Sequence, residues 1–288
     1  MQTARLLIRC PDRPGIIGAV ASFLHMNGAN IIALDQHATE NLEGDGHGEF
    51  LMRVEFQLLN HDLARETLLE SFDALIAKQH DFDYRLSYAH ERKKTALMVS
   101  KHDHALLELL WRWQRGQLPT DIAMVISNHP DLKEKVESFG VPYHHIPVTP
   151  DTKDEAEEEL LSLVQGKVDL IVLARYMQIL SPRVVQAFPQ KIINIHHSFL
   201  PAFVGANPYR QAREKGVKLV GATAHYVTEA LDQGPIIEQD VGRVSHRHSV
   251  SQLRELGRSI EREVLARAVR WHLEERIVVS GNRTVVFS

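Results

Sequence analysis

Along the first part of the chain, the spacing of hydrophobic positions switches between short apolar runs and helical repeats. Residues 4–10, Ala-Arg-Leu-Leu-Ile-Arg-Cys, read as a strand, while Ile16, Ile17, Val20, Ala21 and Leu24 recur at helical spacing and predict a helix from Pro14 to Met26. A strand over Asn30–Thr39, a polar Glu40–Gly48 hairpin and a strand over Glu49–Leu58 follow. A helix over Asp62–Lys78 and a strand over Asp81–Ala89 complete a βαββαβ order, which predicts a ferredoxin-like module over residues 1–89.

The charged bridge His90–Lys94 separates this module from a different pattern. Strands at Thr95–Ser100, Asp121–Ser127, Val141–His145, Leu170–Leu173 and Lys191–His196 alternate with helices near His104–Gln114, Pro130–Phe139 and Thr152–Gln165. Such alternation predicts a Rossmann-type α/β domain over residues 95–288, with a mostly parallel sheet covered by helices on both faces. Val217–Val227 and Pro235–Val244 add a late antiparallel pair, and the amphipathic Ser249–Glu275 helix covers the sheet. There is no internal repeat and no low-complexity segment.

Composition narrows the function classes. With 288 residues, 44% apolar and 24% charged, the chain has the profile of a soluble globular protein of two domains. A net charge of −4 with mixed signs argues against nucleic-acid binding, which needs concentrated Lys and Arg. The single Cys10 leaves no internal disulfide and fits a reducing compartment. No apolar run of about 18 residues and no signal-peptide layout are present, so a cytoplasmic protein is expected, without membrane partners.

The chemistry concentrates at Ile193-Asn194-Ile195-His196-His197-Ser198-Phe199-Leu200-Pro201. In a strand, Asn194 and His196 point to the same face, about 7 Å apart, at the carboxyl end where ligands bind in such sheets. The later segment Gly221–Ile237 offers one carboxylate, Asp232, in a Leu-Asp-x-Gly-Pro turn between two apolar strands. An amide, an imidazole and a carboxylate suit acyl chemistry without a covalent nucleophile.

The joint pattern Asn194-x-His196-x-Ser198-x-Leu200-Pro201 with Leu231-Asp232-x-Gly234-Pro235 resembles the folate-dependent formyltransferase family over roughly residues 95–280. The Phe203-x-Gly205-Ala206-Asn207-Pro208-Tyr209 segment, the Gly221–Tyr226 strand and Gln239-Asp240 look like the branch that hydrolyses 10-formyltetrahydrofolate to tetrahydrofolate and formate, supplying formate for purine synthesis and balancing the one-carbon folate pool. The resemblance implies Asn194, His196 and Asp232 as catalytic residues. Asn194 would donate to the oxyanion, and His196 would strengthen that stabilisation or pass a proton on. Asp232 would orient the His, keep it cationic and position the water. Which of His196 and Asp232 activates that water stays open. The same resemblance places the pterin against Tyr176, Met177, Gln178, Ile179 and Leu180 on one side and Thr228, Glu229 and Leu231 on the other, with Ser198 orienting the loop.

Glycinamide ribonucleotide formyltransferases, the alternative within the family, carry a Gly/Ser-rich phosphate loop after their first strand. Here Ser100-Lys101-His102-Asp103-His104-Ala105 offers no glycine for close backbone approach. Water is therefore the expected acceptor, and no cofactor or metal is expected. Among the 17 histidines, adjacent ones such as His144 and His145 face opposite sides of a strand. A non-enzymatic amino-acid sensor would be expected to lack Asn194, His196 or Asp232.

Finally, Pro11-Asp12-Arg13-Pro14-Gly15-Ile16-Ile17-Gly18 with Gly28-Ala29-Asn30-Ile31 resembles the ACT-domain signature. Asp12 is expected to cap the first helix. The resemblance implies an amino-acid effector at Asp12, Gly15 and Asn30, and a homo-oligomer, dimer or tetramer, paired through edge strands of this module.

Overall fold

The computed structural model describes residues 2–40, 48–58, 65–201 and 208–287. Residues 41–47 of the expected hairpin, 62–64 of the expected helix and 203–207 of the deformylating-branch motif lie outside the described residues. The chain divides into two compact units, residues 1–92 with 274–280 and 285–288, and residues 93–273 with 281–284.

The first unit runs β1 (Gln2–Pro11), α1 (Ile16–Met26), β2 (Ala29–Ala38), β3 (Glu49–Leu58) and α2 (Arg65–Phe72). The helix continues through a π turn (Asp73–Ala77) into α3 (Lys78–His80), and β4 (Asp83–Tyr88) closes the unit. The sheet order β2-β3-β1-β4 is antiparallel throughout, which is the expected ferredoxin-like arrangement. One face of this sheet buries Leu6, Ile8, Met52, Val54 and Phe56 against Val20, Phe23 and Leu24 of α1 and Leu68 and Phe72 of α2. Gly15, at φ +94°, occupies the N-cap position of α1 with no side-chain cap bond. Asp12 is thus not the cap; its backbone N–H donates to the Gly48 carbonyl at 2.7 Å. Asn30 lies exposed at the start of the edge strand β2, opposite Gln57.

The second unit is an α/β domain of seven strands. Its elements are β5 (Lys93–Val99), α4 (His104–Gln114), β6 (Thr120–Ser127), α5 (Lys133–Glu137), β7 (Tyr143–His145), α6 (Lys153–Val164) and β8 (Leu170–Leu173). Then come α7 (Pro182–Ala187), β9 (Ile192–His196), α8 (Pro208–Glu214), β10 (Leu219–Tyr226), β11 (Ile236–Arg243) and α9 (Val250–Leu273). In the order β11-β10-β9-β8-β5-β6-β7, the strands from β9 to β7 are parallel, and β10 and β11 are antiparallel. Strand order reverses at β5, which leads to β6 on one side and lies beside β8 on the other, so the crevice opens beyond the carboxyl ends of β5, β8 and β9.

Several boundaries differ from the periodicity reading. The expected Pro130–Phe139 helix is helical only over Lys133–Glu137, because residues 130–133 form a turn and Gly140 leaves at φ +76°. The short helices α7 and α8 and the terminal hairpin of β12 (Ile277–Ser280) and β13 (Arg283–Val286) were not legible from spacing. Residues 274–280 group with the first unit, where buried Arg53 donates from Nε to the Glu275 carbonyl at 2.9 Å and from Nη2 to the Glu274 carbonyl at 3.2 Å. Among the described residues no helix is long and apolar enough to cross a membrane.

Central strands carry the energetic weight of the second unit. Ile193 is fully buried in β9, immediately before the first of the two polar side chains that face the crevice. Ile193→Ala should lower the unfolding free energy by about 2–5 kcal/mol, read as an earlier urea midpoint. An unchanged midpoint would mean that β9 is not core.

Candidate active site

Strand β9 alternates buried and half-buried residues at its end, so Ile193 and Ile195 enter the core while Asn194 and His196 face the crevice. Antiparallel pairing sets His225 directly opposite Asn194 and Thr223 opposite His196, which puts all four side chains on one face. Thr223 holds the loop that follows. Its Oγ donates to the Ser198 carbonyl at 2.9 Å and accepts from the Leu200 N–H at 3.1 Å and from Gln239 Nε2 at 2.9 Å.

Asp232 is delivered by the turn between β10 and β11 at φ +56°, a left-handed backbone uncommon outside glycine. Two residues on, Gly234 lies so near the Tyr226 carbonyl that a Cβ would stand 1.8 Å from its oxygen, so this close approach requires glycine. The turn aims the carboxylate between two imidazoles. Oδ2 lies 3.2 Å from His196 Nδ1 and Oδ1 lies 3.5 Å from His225 Nε2. Hydrogen bonding from His196, then from His225, holds the Asp232 carboxyl well below its ordinary range, against the opposing effect of burial.

The remaining ring nitrogens are also engaged. His225 Nδ1 lies 3.0 Å from the Tyr226 carbonyl, an acceptor, so this nitrogen carries a hydrogen. Its Nε2 lies 3.2 Å from Asn194 Nδ2 and 3.5 Å from Asp232 Oδ1. His196 Nε2 pairs with Ser198 Oγ at 2.8 Å. His197 lies beside His196 with ring centroids 5.2 Å apart and the planes tilted by 30°, and burial, reinforced by the Arg175 charge, pushes it down to about 4.

These groups line a cavity of about 320 Å³. Tyr176, Met177, Gln178, Ile179 and Leu180 form one wall, and Thr228, Glu229 and Leu231 contribute to the lining with Asn194, His196 and Asp232. Ser198 stands behind His196, outside the lining. Met177, Ile179 and Leu231 are 55%, 59% and 59% exposed, an apolar rim that a flat aromatic ligand would cover. The bend at the end of β8 is fixed from behind, since the Met177 N–H donates to Ser100 Oγ at 2.9 Å and Ser100 Oγ donates to Asn128 Oδ1 at 2.7 Å. Arg175 holds φ +68° at that bend. Burial, aided by the Glu157 charge, pushes the Tyr176 phenol up to about 12. Among the described residues no group of three or more His, Cys, Asp or Glu is arranged to hold a metal.

The structure thus brings Asn194, His196 and Asp232 together and adds His225 from the neighbouring strand. Its signal was present in the alternation Thr223-Ala224-His225 on a strand next to β9, but only strand pairing shows which residue it faces.

Both units of the chain resemble known proteins. Residues 93–269 match the formyl transferase family model and residues 4–67 match the ACT domain model. A formyltetrahydrofolate deformylase of Mycobacterium bovis is 56% identical over 98% of this chain and 90% of its own length, and one of Bacillus subtilis is 52% identical over 99% and 93%. The crystal structure of a formyltetrahydrofolate deformylase from Pseudomonas syringae pv. tomato superposes with a TM-score of 0.95 at 47% identity, covering 100% of this chain and 95% of that one. With an N-terminal ACT-like module joined to a formyltransferase-type α/β domain, the chain belongs to the formyltetrahydrofolate deformylase family.

Proposed function

We propose that this chain hydrolyses 10-formyltetrahydrofolate to tetrahydrofolate and formate, with Asn194, His196 and Asp232 performing the chemistry and Tyr176–Leu180, Thr228, Glu229 and Leu231 binding the folate. The observation that carries it is the Asp232 carboxylate clasped between His196 and His225 beside the Asn194 amide, on an apolar-rimmed cavity. Water adds to the formyl carbon, the C–N bond breaks, the folate nitrogen takes one of the water's protons, and formate leaves ionised as the other proton passes to solvent.

The acidity of Asp232 divides the roles. A carboxyl held well below its ordinary range is a poor proton acceptor, so Asp232 serves as a fixed anion that orients His196 through Nδ1 and steadies positive charge on it. His196, which lines the cavity, exchanges the Ser198 Oγ partner of its Nε2 for water, takes a proton from that water and returns it to the leaving nitrogen. Asn194 donates its amide hydrogens to the developing oxyanion, an interaction a preorganised donor makes worth about 3–4 kcal/mol. The glycine-free turn at 100–105 supports water as acceptor. The ACT-like unit supplies an effector-binding or oligomerising module, and the free, buried Cys10 suits a reducing cytoplasm.

Incubated with 10-formyltetrahydrofolate and no amine, the purified protein should release tetrahydrofolate and formate in equal amounts. Asp232→Asn should lower kcat about 10²–10⁴-fold with KM changed little. Full turnover by that variant, or release that depends on an added amine, would overturn the assignment. Acid stability offers a separate check. The folded state holds His197 at about 4 against 6.5 in the unfolded chain, so unfolded protein takes up a proton that folded protein refuses as pH falls through that window. Stability should therefore decline from about pH 6.5 to about pH 4, and His197→Gln should flatten this part of a melting-temperature profile. Asp232 adds a loss only below its ordinary 3.8.

A further inference from the structure

A second cavity, about 340 Å³, opens in the same α/β unit and shares Arg175 and His197 with the folate cavity. Its lining is cationic, with Arg175, Arg210, Arg254 and Arg258 set against the single carboxylate of Glu261. That carboxylate is already satisfied. Glu261 Oε2 meets His104 Nε2 at 2.8 Å and Arg175 Nε at 3.5 Å, and its Oε1 accepts from the Tyr209 hydroxyl at 3.0 Å. Glu261 is 2% exposed, so it closes the floor of the cavity with its charge compensated.

The arginines divide unequally. Arg210 is committed to Glu214 at 3.0 Å and Arg175 faces Glu261, but neither Arg254 nor Arg258 has a carboxylate partner among the described residues. They stand one turn apart on exposed positions of α9, where two guanidiniums on one rim repel each other unless an anion lies between them. His102 lines the same cavity from the turn after β5, and burial followed by the charges of Arg175 and Arg258 lowers it, so the ring is available as a neutral hydrogen-bonding group. Positive potential focused in a cleft with low-dielectric walls concentrates small anions.

Hydrolysis at His196 generates one such anion beside the ionised Asp232, which repels it. His197 adjoins His196, and His197 and Arg175 border both cavities, so these two side chains form the boundary between the Asp232 cavity and the cationic one. We propose that the Arg254–Arg258 cavity is a small-carboxylate subsite that receives the formate released at the folate cavity, so that formate and tetrahydrofolate are held at once and leave by separate mouths. The inference rests on the hydrolytic reading. Direct binding of formate tests the subsite and turnover tests the reaction, so each can fail alone.

Titration with ¹³C-formate, followed by NMR, should show saturable binding that persists when tetrahydrofolate is present in saturating amounts. An Arg254→Met/Arg258→Met double variant should bind formate at least about tenfold more weakly, a loss typical of charge-assisted contacts, and should relieve inhibition by added formate that is noncompetitive with substrate. Displacement of formate by tetrahydrofolate from the unaltered protein would overturn the proposal, since it would place both ligands, or a folate carboxylate, in one cavity. So would an unchanged formate affinity in the double variant, an equal loss of tetrahydrofolate affinity there, or inorganic phosphate binding more than about tenfold tighter than formate.

Discussion

The carboxylate of Asp232 is held ionised between two imidazoles, and the turn and strand ends around it are placed by that contact. It is carried on a left-handed residue, a conformation that costs about 1–2 kcal/mol for a side chain other than glycine. The turn tolerates this because Gly234 packs against the Tyr226 backbone and because the carboxylate reaches partners on two adjacent strands. Strain of this kind persists where surrounding contacts over-determine the geometry. Here the contacts are the polar face of β9 and β10, and one anion fixes the orientation of both rings.

The same clasp explains how neighbouring groups stay distinct. His196 and His197 are consecutive and their rings lie close together, yet only His196 meets Asp232 through a ring nitrogen, while His197 is buried near Arg175 and held neutral. Both rings line the cavity that holds Asp232, and His197 also borders the arginine-rich one. Opposite electrostatics therefore lie on either side of a short strand end.

Backbone positioning comes from the sheet. Reversal of strand order at β5 opens a crevice, and the ends of β5, β8 and β9 supply its walls through Ser100, Arg175 and His196. The Ser100 hydroxyl ties the β5 end to the Met177 amide, so the wall that carries Tyr176–Leu180 is anchored to a central strand and not left as a free loop. In the first unit the antiparallel sheet leaves β2 as an edge, with Asn30 exposed near its start.

The sequence by itself determined the types and order of the main elements, because strand and helix periods are written in neighbouring side chains. It also placed Asn194 and His196 on one face, since two residues on one strand need no tertiary information to be aligned. Short helices such as α5, which ends at Glu137 before Gly140, escaped because a few residues carry too little periodicity. Tertiary structure alone decided that His225 shares Asp232 with His196, that Glu261 and Arg175 close a second cavity, and that Arg53 captures the carbonyls of residues 274 and 275. These contacts join residues separated by long stretches of chain. They depend on strand order, register and turn geometry, and side-chain alternation within one segment encodes none of those.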